Sequence, residues 1–128
     1  MTAGAPGESG WVPVAQALPP GEVTEAQVGD LDLVVWRTAS GRACVFEARC
    51  PHQWSHLAYE GAVDGDELVC LSHYWRFDPD GRGTKLNVNG RRDDKADIAV
   101  FECRDTDGVV WLRMPGSGED AAPPDATP

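Results

Sequence analysis

Residues 50–73 read CPHQWSHLAYEGAVDGDELVCLSH, and this stretch decides how the rest of the chain is interpreted. It opens with a C-x-H pair, Cys50 and His52, and closes with a C-x2-H pair, Cys70 and His73, with 17 residues between the pairs. Each pair offers one thiolate and one imidazole from a short segment. Two such pairs predict a metal centre held by these four side chains.

Two metal centres are compatible with a set of two cysteines and two histidines. One is a tetrahedral zinc ion, and the other is a [2Fe-2S] cluster in which two histidines replace two cysteines on one iron. Zinc fingers normally pair like ligands, C-x2-4-C and then H-x3-5-H, whereas each pair here is mixed. A mixed pair favours the two-iron cluster, because each segment can send its cysteine to one iron and its histidine to the other. Zinc remains the alternative, as does a purely structural role for these residues.

The other cysteines and the third histidine are not expected to bind metal. Cys44 and Cys103 lie in predicted strands with no matching histidine nearby, so we expect them to be small apolar core residues. His56 lies four residues after His52, but in a predicted loop rather than a helix. We expect it to be exposed or to pack within that loop.

Length and composition predict one domain with short disordered ends. The chain has 128 residues, of which 41% are hydrophobic, which suffices for one packed core. Residues 1–10 and 115–128 are rich in Gly, Pro, Ala and acidic residues, so we expect tails on either side of a domain at residues 11–114. No long apolar stripe indicates an obligate interface, and a monomer is therefore expected.

Charge and hydropathy limit the location and the partners. No apolar run approaches the roughly 20 residues of a membrane span, and the first residues lack the pattern of a signal peptide. We therefore expect a cytoplasmic protein that binds no membrane. The formal net charge of −10 argues against nucleic-acid binding, because phosphates would repel such a surface. A reducing compartment also makes disulfides among the four cysteines unlikely to form.

The rest of the chain predicts an all-β domain, a small antiparallel sandwich or barrel. Short apolar and β-branched segments alternate with turn residues, and no apolar repeat at helical spacing extends over 11 or more positions. Residues 78–95, which are polar and rich in turn formers, are expected to form a surface loop. The predicted strands are Trp11–Ala15, Glu22–Val28, Leu31–Thr38, Ala43–Ala48, Gly61–Asp64, Glu67–Leu71, Ala96–Arg104 and Val109–Met114.

These residues together resemble the Rieske proteins, whose signature is C-x-H-x15-17-C-x2-H. The resemblance extends to CPHQ at residues 50–53, to the turn at Glu60 and Gly61, and to HYWRFD at residues 73–78. It covers roughly residues 10–114 and is strongest to the ferredoxins of bacterial multicomponent aromatic monooxygenase and dioxygenase systems. The resemblance implies one [2Fe-2S] cluster bound by Cys50, His52, Cys70 and His73. It also implies a small antiparallel Rieske-type sandwich or barrel with a two-loop cluster-binding subdomain at one tip.

The chain departs from the respiratory members of this family. Those proteins join the two loops by a disulfide, and here Ser55 and Ser72 stand where its cysteines would be. They also carry hydroxyl residues two and four positions after the last histidine, where this chain has Trp75 and Phe77. Fewer hydrogen bonds to the cluster leave its reduced state less stabilised, so we expect a low reduction potential.

The resemblance implies an electron carrier rather than an enzyme. Such a carrier takes single electrons from a flavin-dependent NAD(P)H reductase and passes them to a terminal oxygenase, and it has no catalytic residues of its own. A redox-sensing or non-catalytic subunit of an oxygenase complex is the alternative on the same cluster, and a zinc-binding interaction module is the alternative on a different metal.

Overall fold

The structure is a computed structural model, and it describes residues 10–51 and 55–114 of the chain. Within these residues there are twelve β-strands and one short helix. The elements, numbered in chain order, are β1 (Trp11–Gln16), β2 (Val23–Val28), β3 (Leu31–Arg37), β4 (Ala43–Glu47), α1 (Leu57–Glu60), β5 (Gly61–Asp64), β6 (Glu67–Cys70), β7 (Trp75–Phe77), β8 (Gly83–Leu86), β9 (Arg92–Lys95), β10 (Val100–Phe101), β11 (Cys103–Thr106) and β12 (Val109–Arg113).

The described strands form three antiparallel sheets. Their orders are β1-β12-β11, β10-β4-β3-β2 and β5-β6-β7-β8-β9. Every strand pair is antiparallel, which confirms the predicted all-β antiparallel class. Most connections are tight turns between neighbouring strands, as expected for sheets of this kind.

Strand β3 lies between two hydrophobic cores. Its sequence LDLVVWR is apolar at successive positions, and side chains alternate between the two faces of a strand. Val34 and Trp36 therefore enter one core, and Leu33 and Val35 enter the other. The first core joins the four-stranded sheet to the five-stranded sheet. The second core joins the four-stranded sheet to the three-stranded sheet.

The five-stranded sheet is where the structure differs most from the sequence prediction. Residues 78–95 were expected to form a surface loop, but they contain β8 and β9, which pair as a hairpin. These strands have no apolar alternation; β9 is the edge strand of the sheet and β8 lies next to it. They are held instead by ion pairs: Glu67 on β6 accepts hydrogen bonds from Arg76 on β7 and from Arg92 on β9, at 2.9 and 2.6 Å.

Two smaller predictions also need correction. The single strand expected at Ala96–Arg104 is two strands, because β10 pairs with β4 whereas β11 pairs with β12 in another sheet. The four-residue helix α1 was not predicted, since one turn is too short for helical periodicity to appear in the sequence. The division of the predicted strand thus depends on a contact between distant segments, whereas the helix was missed because of its length.

The predicted domain boundaries are only partly covered by the structure. Every strand lies between Trp11 and Arg113, whereas residues 1–9 and 115–128, to which the predicted tails belong, fall outside the described residues. No helix in the described ranges is long and apolar enough to cross a membrane.

Candidate metal centre

Two loops carry the predicted ligands. Loop one, residues 50–56, follows β4, and loop two, residues 71–74, connects β6 to β7. Cys50 at the start of loop one is 0% exposed, and Cys70 at the end of β6 is 2% exposed. Both thiols belong to the same hydrophobic core. His52 lies outside the described residues, so the structure gives positions for three of the four predicted ligands.

Backbone hydrogen bonds shape loop one. The amide of Cys50 donates to the carbonyl of Ser55 at 2.9 Å, which closes the loop on itself. The amide of Leu57 then donates to the carbonyl of Ala48 at 2.8 Å and returns the chain to the core. These bonds fix the backbone around Cys50.

His56 closes loop one by capping helix α1. Its Nδ1 accepts a hydrogen bond from the amide of Ala58 at 3.1 Å, and the residue is only 8% exposed. The imidazole ring also stacks at a tilt on Tyr59, with the ring centroids 4.8 Å apart. Of the two roles expected from the sequence, exposure and packing within the loop, the structure confirms packing.

Loop two is a tight turn with one strained residue. Tyr74 has a φ of +63°, a left-handed conformation that a residue with a side chain rarely adopts. Its amide donates to the carbonyl of Cys70 at 2.6 Å, so the chain reverses over four residues. As a result Cys70 and Trp75 are paired across β6 and β7, and His73 lies at the tip between them. Strain of this kind costs of the order of 1 kcal/mol and clusters at functional sites.

A chain of side-chain hydrogen bonds joins the two loops. The hydroxyls of Ser55 and Ser72 lie 3.2 Å apart, and Ser72 donates to the carboxylate of Glu60 at 2.6 Å. These two serines are the positions at which the sequence departs from the disulfide-linked members of the family. The loops are therefore held together here by hydrogen bonds rather than by a covalent bond.

Glu60, which was expected from the sequence only as part of a turn, also holds loop two in place. Besides its contact with Ser72, its backbone carbonyl accepts a hydrogen bond from the amide of Leu71 at 2.7 Å. The next position, 61, requires glycine, because a Cβ there would lie 2.4 Å from the carbonyl oxygen of Leu57. The turn at Glu60 and Gly61 was visible in the sequence, but its partner in loop two lies too far along the chain to be inferred.

The donor set fits a two-iron cluster. A cysteine binds metal as the thiolate, and a buried thiolate requires positive charge beside it, which an iron centre supplies. Cys50 and Cys70 are buried, and the Nδ1 atom of His73 is buried as well. Two thiolates and two imidazoles are the ligand set of a [2Fe-2S] cluster in which two histidines replace two cysteines.

The remaining two cysteines have a different environment. Burial, with a smaller contribution from Cys103, raises the pKa of Cys44 to about 12. Burial likewise raises the pKa of Cys103. Their sulfur atoms lie 3.9 and 3.4 Å from the carbonyl oxygens of Arg42 and Ala43. Cys44 is buried and Cys103 half-buried, which agrees with the apolar role expected of them.

Comparison with known proteins identifies the family. The family model of the Rieske [2Fe-2S] domain matches residues 10–107. A cholesterol 7-desaturase of Ciona intestinalis is 31% identical over 121 residues, which are 91% of this chain and 26% of that protein. The oxygenase subunit of phthalate 4,5-dioxygenase from Pseudomonas putida is 31% identical over 120 residues, which are 88% of this chain and 27% of that subunit. The chain thus spans about a quarter of the length of these curated relatives.

One similar solved structure has a chain of comparable length. In the complex of reduced oxygenase and oxidized ferredoxin of carbazole 1,9a-dioxygenase, one chain superposes with a TM-score of 0.64 and 25% identity. The match covers 83% of this chain and 94% of that chain. With the family established, the cluster takes the place of the zinc alternative, and the resemblance inferred from the sequence is confirmed. The chain belongs to the Rieske [2Fe-2S] domain family and carries one [2Fe-2S] cluster.

Proposed function

We propose that Cys50, His52, Cys70 and His73 are the four ligands of the cluster. The burial of Cys50 and Cys70 in one core, at the ends of two loops that contact each other, carries this proposal. The two cysteines would hold one iron, and the two histidines, which follow them in the sequence, would hold the other. We assign the folded unit that presents them to residues 11–114.

The cluster, when bound, accepts and gives up one electron at a time. The chain positions this chemistry near the surface and keeps water from its inner side. Leu57, Leu68 and Phe77 are fully buried and pack in the same core as the two cysteines. At the outer side, Leu71 and Tyr74 flank His73 in loop two and are 49% and 61% exposed. An exposed leucine and tyrosine beside a ligand are suited to contact with a partner protein.

We further propose that the protein is a monomeric Rieske ferredoxin. It takes single electrons from a flavin-dependent NAD(P)H reductase and passes them to a terminal oxygenase that hydroxylates an aromatic or hydrocarbon substrate. The match to a chain of similar length in an oxygenase and ferredoxin complex supports this proposal. In this proposal the catalytic step belongs to the partner oxygenase.

A second candidate is a non-catalytic Rieske subunit that stays bound within an oxygenase complex. The observation that favours it is the similarity to oxygenases, among them the oxygenase subunit of phthalate 4,5-dioxygenase. A bound subunit would associate with its oxygenase in fixed stoichiometry, whereas a ferredoxin exchanges between partners.

Turnover with a generic electron acceptor separates these candidates. We would mix the holoprotein with NADPH, a flavin-dependent ferredoxin reductase and cytochrome c, and measure the rate of cytochrome c reduction. A ferredoxin at catalytic concentration increases this rate many times over. The Cys70→Ser variant should lose this effect, and Cys103→Ser, which removes a thiol outside the proposed ligand set, should retain it. Absence of any acceleration by holoprotein with a full cluster would contradict the ferredoxin proposal.

A further inference from the structure

Lys95 holds a positive charge beside the cluster-binding strands. Its Nζ lies 5.8 Å from the centroid of the Trp75 ring, within the range of a cation–π interaction. Lys95 is on β9, at the edge of the five-stranded sheet, and Trp75 is on β7. Both residues are half-buried. The aromatic ring therefore fixes the position of an ammonium group that would otherwise move freely in solvent.

Strand register places this ammonium on the same face of the sheet as Cys70. Trp75 is paired with Cys70 across β6 and β7, and directly paired residues point to the same side. Lys95 is paired with Gly83, which is in turn paired with Phe77, a residue of the core that contains Cys70. Gly83 has no side chain and therefore does not separate Lys95 from Phe77; the next residue of β8 on this face is Lys85, which is paired with Asp93.

The other basic residues of this sheet that form ion pairs do so elsewhere. Arg76 pairs with Asp64 and Glu67, and Arg92 pairs with Glu67, through side chains on the opposite face. Lys95 takes part in no ion pair within residues 10–51 and 55–114.

Several acidic residues lie close to Lys95 in the chain. Asp93 and Asp94 precede it on β9 and are exposed. Asp97 follows it and accepts a hydrogen bond from the amide of Gly83 at 3.1 Å. Within the described part of the chain, no carboxylate lies at ion-pair distance from the ammonium over Trp75.

We propose that Lys95 raises the reduction potential of the cluster. This inference rests on the proposed ligand role of Cys70. Reduction adds one electron and neither forms nor breaks a bond, so a nearby positive charge stabilises the reduced state more than the oxidised state. Trp75 acts as the positioning residue that holds the ammonium near the cluster.

The size of the effect follows from the spacing of the strands. Adjacent strands are about 4.8 Å apart, so β9 lies about 14 Å from β6, and the Lys95 side chain reaches back over Trp75, which is one strand from Cys70. For a separation of about 10–14 Å, Coulomb's law with an effective dielectric constant between about 20 and 80 gives a change of about 1.6-fold to fifteenfold in the equilibrium constant for reduction. A value of about fivefold corresponds to about 40 mV, since a tenfold change is 59 mV for one electron.

The test is a redox titration of the isolated holoprotein and of three variants, followed by the visible spectrum. Lys95→Gln should lower the potential by about 40 mV, the fivefold change expected above. Lys95→Arg keeps the charge and the aromatic contact, so its potential should equal that of the wild type. Arg104→Gln is the matched control, because it removes one exposed positive charge from β11 in a different sheet.

Two results would overturn the proposal. One is an unchanged potential in Lys95→Gln, and the other is an equal shift in Lys95→Gln and Arg104→Gln, which would indicate net charge alone. The titration needs no reductase or oxygenase. If Lys95→Gln lowers the potential as expected but the holoprotein transfers no electrons to a protein acceptor, the result counts against the ferredoxin proposal and not against the role of Lys95.

Discussion

The contact between Ser55 and Ser72 predicts that the two cluster loops can be joined covalently. Their hydroxyl oxygens are 3.2 Å apart, although the residues are separated by 17 positions in the chain. A disulfide requires Cβ atoms about 3.5–4.5 Å apart, and two side chains with touching Oγ atoms have Cβ atoms close enough for a small shift of the loop backbone to reach that separation. We expect the double variant S55C/S72C to form a disulfide between loop one and loop two.

The stabilisation can be estimated from the length of the closed loop. In the chain-entropy model, a cross-link that closes a loop of about 18 residues reduces the entropy of the unfolded chain enough to give about 3 kcal/mol. Loss of the serine hydrogen bond, about 1 kcal/mol, offsets part of this gain. The net increase in the free energy of unfolding is therefore about 2 kcal/mol, which corresponds to a rise in melting temperature of about 8 °C or more.

Thermal unfolding of the oxidised and reduced forms of the variant measures this effect. Far-UV circular dichroism follows the fold, and the visible absorbance follows retention of the cluster. The control is S55A/S72A, which loses the same hydrogen bond but has no thiols to cross-link, and it should melt below the wild type. The reasoning is refuted if the introduced thiols remain reactive after oxidation, or if the disulfide forms and the melting temperature does not rise.

Three other predictions concern stability, reactivity and potential. Glu67→Gln should cost about 1–2 kcal/mol near pH 7, because it weakens bonds from Arg76 and Arg92, of which Arg92 is largely solvent-exposed. Although burial raises the pKa of Glu67, hydrogen bonds from Arg92 and Arg76 lower it overall from the ordinary value of 4.5. Its contribution is complete above that value and is lost as the pH falls through the lowered pKa, so urea midpoints of wild type and variant should converge at pH values below the lowered pKa. With a pKa of about 12, Cys44 should resist iodoacetamide at about pH 8 in the folded protein, and peptide mapping that finds rapid labelling would contradict the assigned burial. Redox titration should give a potential in the lower part of the range from about −150 to +300 mV, and a value near the top would refute the argument from missing hydroxyl donors.

The sequence predicted those parts of the fold that depend on local patterns. Strands β3 and β4 have apolar runs bounded by turn residues, and both were located within one residue of their ends. The β8–β9 hairpin was missed because its strands are polar and are stabilised by Glu67, a residue that precedes them by more than 15 positions. A local pattern carries no information about a partner at that distance.

In the candidate site, too, local sequence patterns predicted some residues, and contacts between distant segments determine the others. Spacing alone brought Cys50, Cys70 and His73 into consideration, and the structure places all three in or beside two loops that touch. The role of Glu60 in holding loop two and the position of Lys95 over Trp75 were not predicted. Both depend on how strands pair in the folded sheet. Ligands with a fixed spacing can therefore be predicted from a sequence. Residues that position the ligand loops or change the reduction potential can be identified only from the structure.

The most direct test of the account is the coordination of the cluster itself. We would purify the protein with histidine labelled by nitrogen-15, reduce it with dithionite and record pulsed EPR spectra of the iron centre. The account predicts a reduced two-iron cluster with hyperfine coupling to two imidazole nitrogens, one of which disappears in His73→Cys. A cluster without coupling to any histidine nitrogen, or a protein that binds zinc and no iron, would contradict it.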